Sequence, residues 1–313
     1  MTEWRISAAQ YRAITVAALV AICAIIVTGA AVRLTGSGLG CADWPACSST
    51  KFIDVSSRHA AIEQVNRLFT GFVSLAVIAA VLGSLVRNPR RGDLTVLSLG
   101  LVTGVVAQIL LGGVTVLVDL HPAAVQGHML LSLVLVANAV VLVRRAFEPD
   151  DGVVVRPVSP EISRHTAGVA ALTALALVTG TVVTGAGPHA GDEEARRYGV
   201  AIADAARVHG TSVVLAVVAV LVLAWRLRRR PAERTELAEW VSGWIVVALL
   251  QGAIGYIQYF NEVPALLVGI HVFGATVLWA VTVGLVMSTV PTRRIAPVPN
   301  HPRATVATVP ATG

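Results

Sequence analysis

The sequence predicts an all-α polytopic membrane protein, with eight transmembrane helices forming two parallel-repeat four-helix bundles. Three observations carry that expectation. Hydrophobic residues make up 55% of the 313 and charged residues only 13%, against about 25% charged in soluble domains. Apolar runs recur at 13–33, 62–86, 94–118, 123–143, 166–185, 204–225, 240–260 and 265–288, and they reach the ~20 residues that a helix needs to cross a bilayer core. The chain also repeats itself. Adding 143 to the positions of Gln108, Gly112 and His128 gives Gln251, Gly255 and His271 without a gap. The same shift carries Asn66 onto His209, so 62 residues separate Asn66 from His128 and His209 from His271.

Each element has its own justification. Barrel strands alternate in hydrophobicity over ~10 residues, whereas these runs are longer and continuous, so they are helices whose backbone groups bond internally. The first run holds Cys23, read as a packed thiol, and leads into the longest outer loop, 34–61. Gly36, Gly38 and Gly40 open that loop, and Cys41 and Cys47 bracket Asp43-Trp44-Pro45. The loop faces an oxidising compartment, where neighbouring thiols pair, so a Cys41–Cys47 disulfide is expected; spacing does not decide between a structural and a redox-active bond. The segment 146–165, with Pro149, Pro157 and Pro160, reads as a cytoplasmic linker. The second half begins with Thr179-Gly180 and Thr184-Gly185-Ala186-Gly187, which echo Thr28-Gly29 and Thr35-Gly36-Ser37-Gly38 of the first. The division is then an amino-terminal bundle over 1–145, the linker, a carboxy-terminal bundle over 166–290, and a tail over 291–313. The tail is rich in Pro, Thr and Ala and is expected to be disordered.

The net charge of +6 comes from arginines in short loops. The amino terminus, the second, fourth and sixth loops and the tail hold 17 of the 24 Lys and Arg. This pattern sets orientation in a cell membrane, with both termini cytoplasmic, and it implies no nucleic-acid partner. Four spans restore the side, so the two halves run the same way about an axis along the membrane normal.

Polar and ionisable groups inside apolar spans are costly and mark functional positions. Glu63 and Asn66 in the second span, His128 in the fourth, His209 in the sixth and His271 in the eighth all lie near the outer end. Equal depth lets residues from two helices of one bundle face each other. His209 and His271 then meet across the second bundle, and two imidazoles suit the axial positions of a low-spin haem iron. Zinc takes three or four ligands, which are not found at that depth. Two histidines hydrogen-bonded in a polar cavity are the alternative. In the first bundle His128 faces Asn66, a poor iron ligand, so a haem there is held from one side. Glu63 shares a face with Asn66 at i, i+3, and its repeat counterpart is Ala206. A carboxylate near an iron or a haem edge moves protons; an i, i+4 ion pair with Arg67 is the competing and compatible reading. Arg67 and Arg207 stand at outer helix ends, to bind haem propionates or to snorkel. Gln108 and Gln251 read as interhelical hydrogen-bonders, and His59, His121, His165, His189 and His301 receive no role.

The doubled architecture, the loop Cys41-Ala42-Asp43-Trp44-Pro45-Ala46-Cys47, the segment Glu63-Gln64-Val65-Asn66-Arg67 and the spaced His128, His209 and His271 together resemble the haem A synthase family over nearly the whole chain. The resemblance implies a membrane oxidoreductase that converts haem O to haem A for cytochrome oxidase, oxidising the C8 methyl group to a formyl by successive hydroxylations. It implies haem b held by His209 and His271, substrate haem O with His128 as axial ligand and Asn66 and Arg67 as neighbours, Glu63 as the catalytic carboxylate, and a Cys41–Cys47 disulfide. An electron acceptor is required but not identified, and haem O synthase or oxidase assembly factors are the partners the resemblance suggests. Asn66 departs from the family, which commonly has a histidine there. A diheme b-type electron-transfer cytochrome explains the histidines but not the asymmetry at Asn66 and Glu63. A transporter of parallel repeats explains the symmetry, but the spans are not broken as transporter helices often are.

Overall fold

A computed structural model describes residues 5–295. All eight expected spans are helices, each long and apolar enough to cross a membrane: α1 (Ala8–Leu34), α2 (Arg58–Val86), α3 (Gly92–Leu117), α4 (Pro122–Phe147), α5 (Pro160–Ala186), α6 (Ile202–Leu227), α7 (Pro231–Phe260) and α8 (Ala265–Met287). Their starts follow local chemistry. Ser7 caps α1 in a reciprocal box with Gln10, which satisfies two backbone donors that a helix start leaves free. Ser57 accepts from the amide of Ala60 at the start of α2. Pro122, Pro160 and Pro231 open α4, α5 and α7, where the missing N–H costs nothing. Proline at the start also fits α7 beginning nine residues before the apolar run that announces it, since its first turns, residues 231–239, are polar.

Helix α1 packs on α2 and α4, and α3 closes the ring by packing on α2 and α4. In the same way α5 packs on α6 and α8, and α7 lies on α6 and α8. Between the rings, α8 lies against α1 and α4, and α4 against α5. Replacing each of α1–α4 by the helix four later, and the reverse, leaves this pattern unchanged. The first ring is filled by Ile22, Val77, Leu101, Val136 and Leu142, with Val272 and Trp279 of α8 against it. The second is filled by Ile162, Val220, Leu223, Leu237 and Trp244. The Trp279 indole donates to the Leu133 carbonyl at 2.8 Å and so joins α8 to α4. Large apolar side chains such as Val20, Leu75, Leu82, Val96 and Leu249 point outward along the spans, as a lipid-facing surface requires.

Several arginines that mark orientation in the sequence are paired, and Arg87 and Arg91 are also buried. Arg87 bonds Asp150 at 2.6 Å, and Arg91 bonds Asp93 at 2.7 Å and the Arg145 carbonyl at 2.9 Å. Arg226 and Arg230 converge on Glu161. A short strand β1 (Val153–Val155) pairs antiparallel with β2 (Thr292–Arg294). Thr292–Arg294 therefore belong to an ordered pairing with the linker, although the sequence reading placed them in the disordered tail. Val153–Val155 are β-branched, and β-branched residues suit strands, but three residues are too short a run to announce one. Most of the expected tail, with His301, lies outside the described residues.

The candidate functional site

The loop between α1 and α2 and the loop between α5 and α6 meet over one end of the bundles. Gly38 N–H donates to the Gly191 carbonyl at 2.8 Å. Cys41 and Cys47 are bonded to each other, with their Cα atoms 4.4 Å apart, and both are buried. Gly40 lies on the backbone of His59 and Ala60, where a Cβ would collide with the His59 carbonyl. The Trp44 indole covers Gly113 of α3. The loop is thus folded down onto the starts of α2 and the end of α3.

Beneath it lies a cavity of about 720 Å³, within the range of pockets that enclose cofactor-sized ligands. Glu63, Asn66, Arg67, Gln108, His128, His209 and His271 all line it. Every expected site residue except the two cysteines therefore reaches one space, which is shared by both rings of helices. Arg207 does not. It is exposed and pairs with Asp204 at 2.8 Å, because it falls on the outward face of α6.

Each histidine sits in a cradle built by the neighbouring helix. For His209 the cradle is Ala176, Thr179 and Gly180 of α5. Its Nδ1 lies 2.9 Å from the Ala176 carbonyl and 3.3 Å from the Thr179 hydroxyl. Only a protonated Nδ1 can donate to a carbonyl, so Nε2 carries the free lone pair, which is how a ligating imidazole is oriented. Gly180 leaves room for the ring; a Cβ there would sit 3.1 Å from His209 Cε1. His271 rests on Gly255 of α7 and His128 on Gly112 of α3, where a Cβ would lie 3.4 Å and 3.3 Å from the respective Cε1 atoms. Gln108 holds the His128 turn by donating to the His128 carbonyl at 3.1 Å and the Ser132 hydroxyl at 2.5 Å.

The His209 and His271 rings are 6.5 Å apart centre to centre, inclined at 80°. Metal–imidazole bonds of ~2.0 Å on either side of one ion put ring centres ~6 Å apart, so the spacing fits two ligands that share a metal. Among the described residues no group of three or more His, Cys, Asp or Glu is placed to hold a metal ion. Two imidazoles alone suit a metal whose other positions are filled by a macrocycle, so the residues present fit a haem.

The corresponding place in the first ring is different. Thr28 of α1 donates to Asn66 Oδ1 at 2.8 Å, as Thr179 meets His209 in the second ring. Gly29 stands where Gly180 does, but nothing lies within 4 Å of the Cβ position. The shorter Asn66 side chain thus leaves open space where His209 fills it. Glu63 is only 5% exposed. It accepts the Cys41 amide at 2.8 Å through Oε2, and the Arg67 guanidinium through Oε1 at 2.6 and 3.0 Å. Arg67 in turn donates to the carbonyl of Asp43 at 3.1 Å. The ion pair expected from the i, i+4 spacing is present, and it fastens the disulfide loop to α2.

Thr28, Thr179, Arg33, Arg196 and His189 also contribute, and sequence reasoning gave them no role. His189 lines the cavity, with its Nε2 2.7 Å from the Val263 carbonyl. The echo of Thr28-Gly29 in Thr179-Gly180 was the available signal for the two threonines. Arg33 and Arg196 looked like ordinary outer-end arginines. His59 and His165 meet Ser37 and the Ala219 carbonyl, and His121 caps α4, each a local structural bond.

Comparison with known proteins gives the family. A haem A synthase from Lysinibacillus sphaericus is 28% identical over 174 residues, 54% of this chain and 56% of that protein. One from Exiguobacterium is 27% identical over 160 residues, 51% of this chain and 52% of that protein. The chain spans about half the length of these two relatives. One from Bacillus mycoides is 24% identical over 274 residues, 84% of this chain and 88% of that protein. The family model for cytochrome oxidase assembly proteins of the COX15-CtaA type matches residues 12–191, more than half of the chain and all of the Glu63–His128 side of the cavity. The chain belongs to that family of cytochrome oxidase assembly proteins.

Proposed function

We propose that the chain is a haem A synthase, oxidising the C8 methyl group of haem O to a formyl group within the cell membrane, with both termini cytoplasmic. The observation that supports it most is the unequal pair of sites on one cavity: two cradled histidines on the carboxy-terminal side, against His128, Asn66 and a buried Glu63 on the amino-terminal side. An electron carrier has no use for that asymmetry.

In this reading residues 1–145 receive haem O and residues 166–290 hold a resident haem b, joined by the 146–165 linker. His209 and His271 would hold haem b, which when bound would supply one-electron transfer. Ala176 and Thr179 fix the His209 tautomer, and Gly180 and Gly255 admit the two rings. His128 takes the iron of haem O from one side, held in place by Gln108. Asn66 does not ligate, and Thr28 keeps its amide turned aside, which leaves room between α1 and α2. Glu63 receives and returns protons during the hydroxylations. Its ties to Arg67 and the Cys41 amide keep the carboxylate at one position and link the loop to the chemistry. Trp44 and the disulfide loop cover the cavity. Going from methyl to formyl takes one oxygen from water and releases four protons and four electrons; Glu63 passes the protons on, and an acceptor outside the chain takes the electrons.

The test is extraction of haem from membranes that contain the protein and are supplied with haem O. Haem with the mass and reduced absorption spectrum of the formyl product is expected, in wild type and not in vector controls. Unchanged haem O alongside bound haem b would instead describe an electron-transfer cytochrome.

A further inference from the structure

The charged lining of the cavity is unbalanced. Four charged side chains reach it: Arg33, Glu63, Arg67 and Arg196. Glu63 and Arg67 neutralise each other across 2.6 Å. Arg33 and Arg196 form no salt bridge among the described residues. The acids nearest in sequence, Asp192, Glu193 and Glu194, are not part of the lining.

Arg33 is the more constrained of the two. It stands in the last turn of α1 and reaches across to the other ring, donating from one terminal nitrogen to the Thr184 carbonyl of α5 at 2.7 Å. Its Nε is buried with no partner. Arg197, next in sequence to Arg196, is not part of the lining and donates to the carbonyls of Gly187 and Pro188. A guanidinium buried beside a cavity with a donor unused calls for an anion, and its planar fork matches a carboxylate.

We propose that Arg33, together with Arg196 from the loop after α5, is the subsite for the propionate carboxylates of the tetrapyrrole bound in this cavity. The proposal rests on the haem reading above. It replaces the assignment suggested by helix ends alone: Arg67 is committed to Glu63 and the loop, and Arg207 faces away. Each haem carries two propionates, so the two unmatched cations suit the pair carried by one of the two haems. Because Arg33 is bonded to α5, carboxylate binding also draws on the junction between the rings.

The test uses the full chain, purified in uncharged detergent and titrated by absorbance with iron protoporphyrin IX and with its dimethyl ester, whose carboxylates are capped. Wild type is expected to bind the free acid about 10-fold more tightly than the diester. Arg33→Gln is expected to weaken the acid alone and bring the ratio towards one. Arg33→Lys keeps the charge without the fork, so it retains part of the preference, and Arg196→Ala lowers the ratio as well. An acid-to-diester ratio unchanged in Arg33→Gln, with only thermal stability reduced, would show that Arg33 merely ties α1 to α5 and would overturn the proposal. If Arg33→Gln does not fold, the ratios in Arg33→Lys and Arg196→Ala decide in the same way. Failure of wild type to bind either porphyrin would defeat the haem reading itself, and the subsite with it; binding of both at an unchanged ratio defeats the subsite alone.

Discussion

Replacing Gly180 by alanine tests the His209 cradle directly. The added methyl would stand 3.1 Å from His209 Cε1 and 3.4 Å from Nδ1, against an ordinary carbon contact of ~3.5–4.0 Å. The ring must therefore move by ~0.5 Å, about the tolerance of a ligand constellation. It cannot do so freely, since its Nδ1 is tied to the Ala176 carbonyl. Overpacking costs ~1–3 kcal/mol, and alanine returns up to ~1 kcal/mol of helix propensity, so stability falls by at most ~3 kcal/mol, less than the ~5–15 kcal/mol that holds a typical fold together. Disturbing what orients a ligand lowers metal affinity ~10–100-fold. The assay is the absorption and electron-paramagnetic spectrum of the purified protein, with haem content per chain. Gly180→Ala is expected to lose the low-spin bis-imidazole signature and part of its haem. Gly255→Ala, with a 3.4 Å approach to His271, should be milder. Gly29→Ala, with nothing near, should leave the haem unchanged and raise stability slightly. An unaltered spectrum and haem content in Gly180→Ala would refute the cradle.

Three further outcomes follow from the same geometry. Asn66→His places a second imidazole where Gly29 leaves room, so haem O loaded into the variant should become low-spin, while wild type should not; identical low-spin spectra would contradict one-sided ligation. Removing the Cys41–Cys47 bond opens a short loop and is expected to cost about 2 kcal/mol, measured by thermal unfolding of the double alanine variant, with no change if the loop is held by Glu63 and Arg67 alone. The Asp54 carboxyl is pulled down to about 2 by the hydroxyl and amide of Ser56, with Lys51 adding to it. A depressed pKa stabilises above the unfolded value and is lost on acidification, so protection of the Ser56 amide should persist to pH ~4 and vanish on approach to pH ~2; loss already near neutrality would contradict it.

The eight helices were legible because the length needed to cross a bilayer leaves few choices. That His128, His209 and His271 line one cavity is in keeping with the count, since each lies six or seven residues into its helix. The cradles were only half visible. Gly112 and Gly255 repeat at the histidine spacing, but Thr28 and Thr179 bond across helices whose mutual rotation no linear pattern encodes. Glu63 illustrates a competition: the i, i+4 spacing to Arg67 was plain, while its bond to the Cys41 amide depends on how the loop folds back. Arg33 and Arg207 look alike in sequence, and only helix rotation sends one inward and the other out. The β1–β2 pairing joins segments 140 residues apart through three residues each, too short to declare themselves.

The central claim is the division between a converting amino-terminal site and a holding carboxy-terminal one. The most direct measurement is a pyridine haemochrome spectrum with mass analysis of extracted haem, for wild type, Glu63→Ala and His271→Ala in cells supplied with haem O. Wild type is expected to yield haem A. Glu63→Ala should retain haem b and stop at haem O or a hydroxylated intermediate, and His271→Ala should lose haem b. Formation of haem A in Glu63→Ala at the wild-type level, or retention of haem b in His271→Ala, would contradict the account.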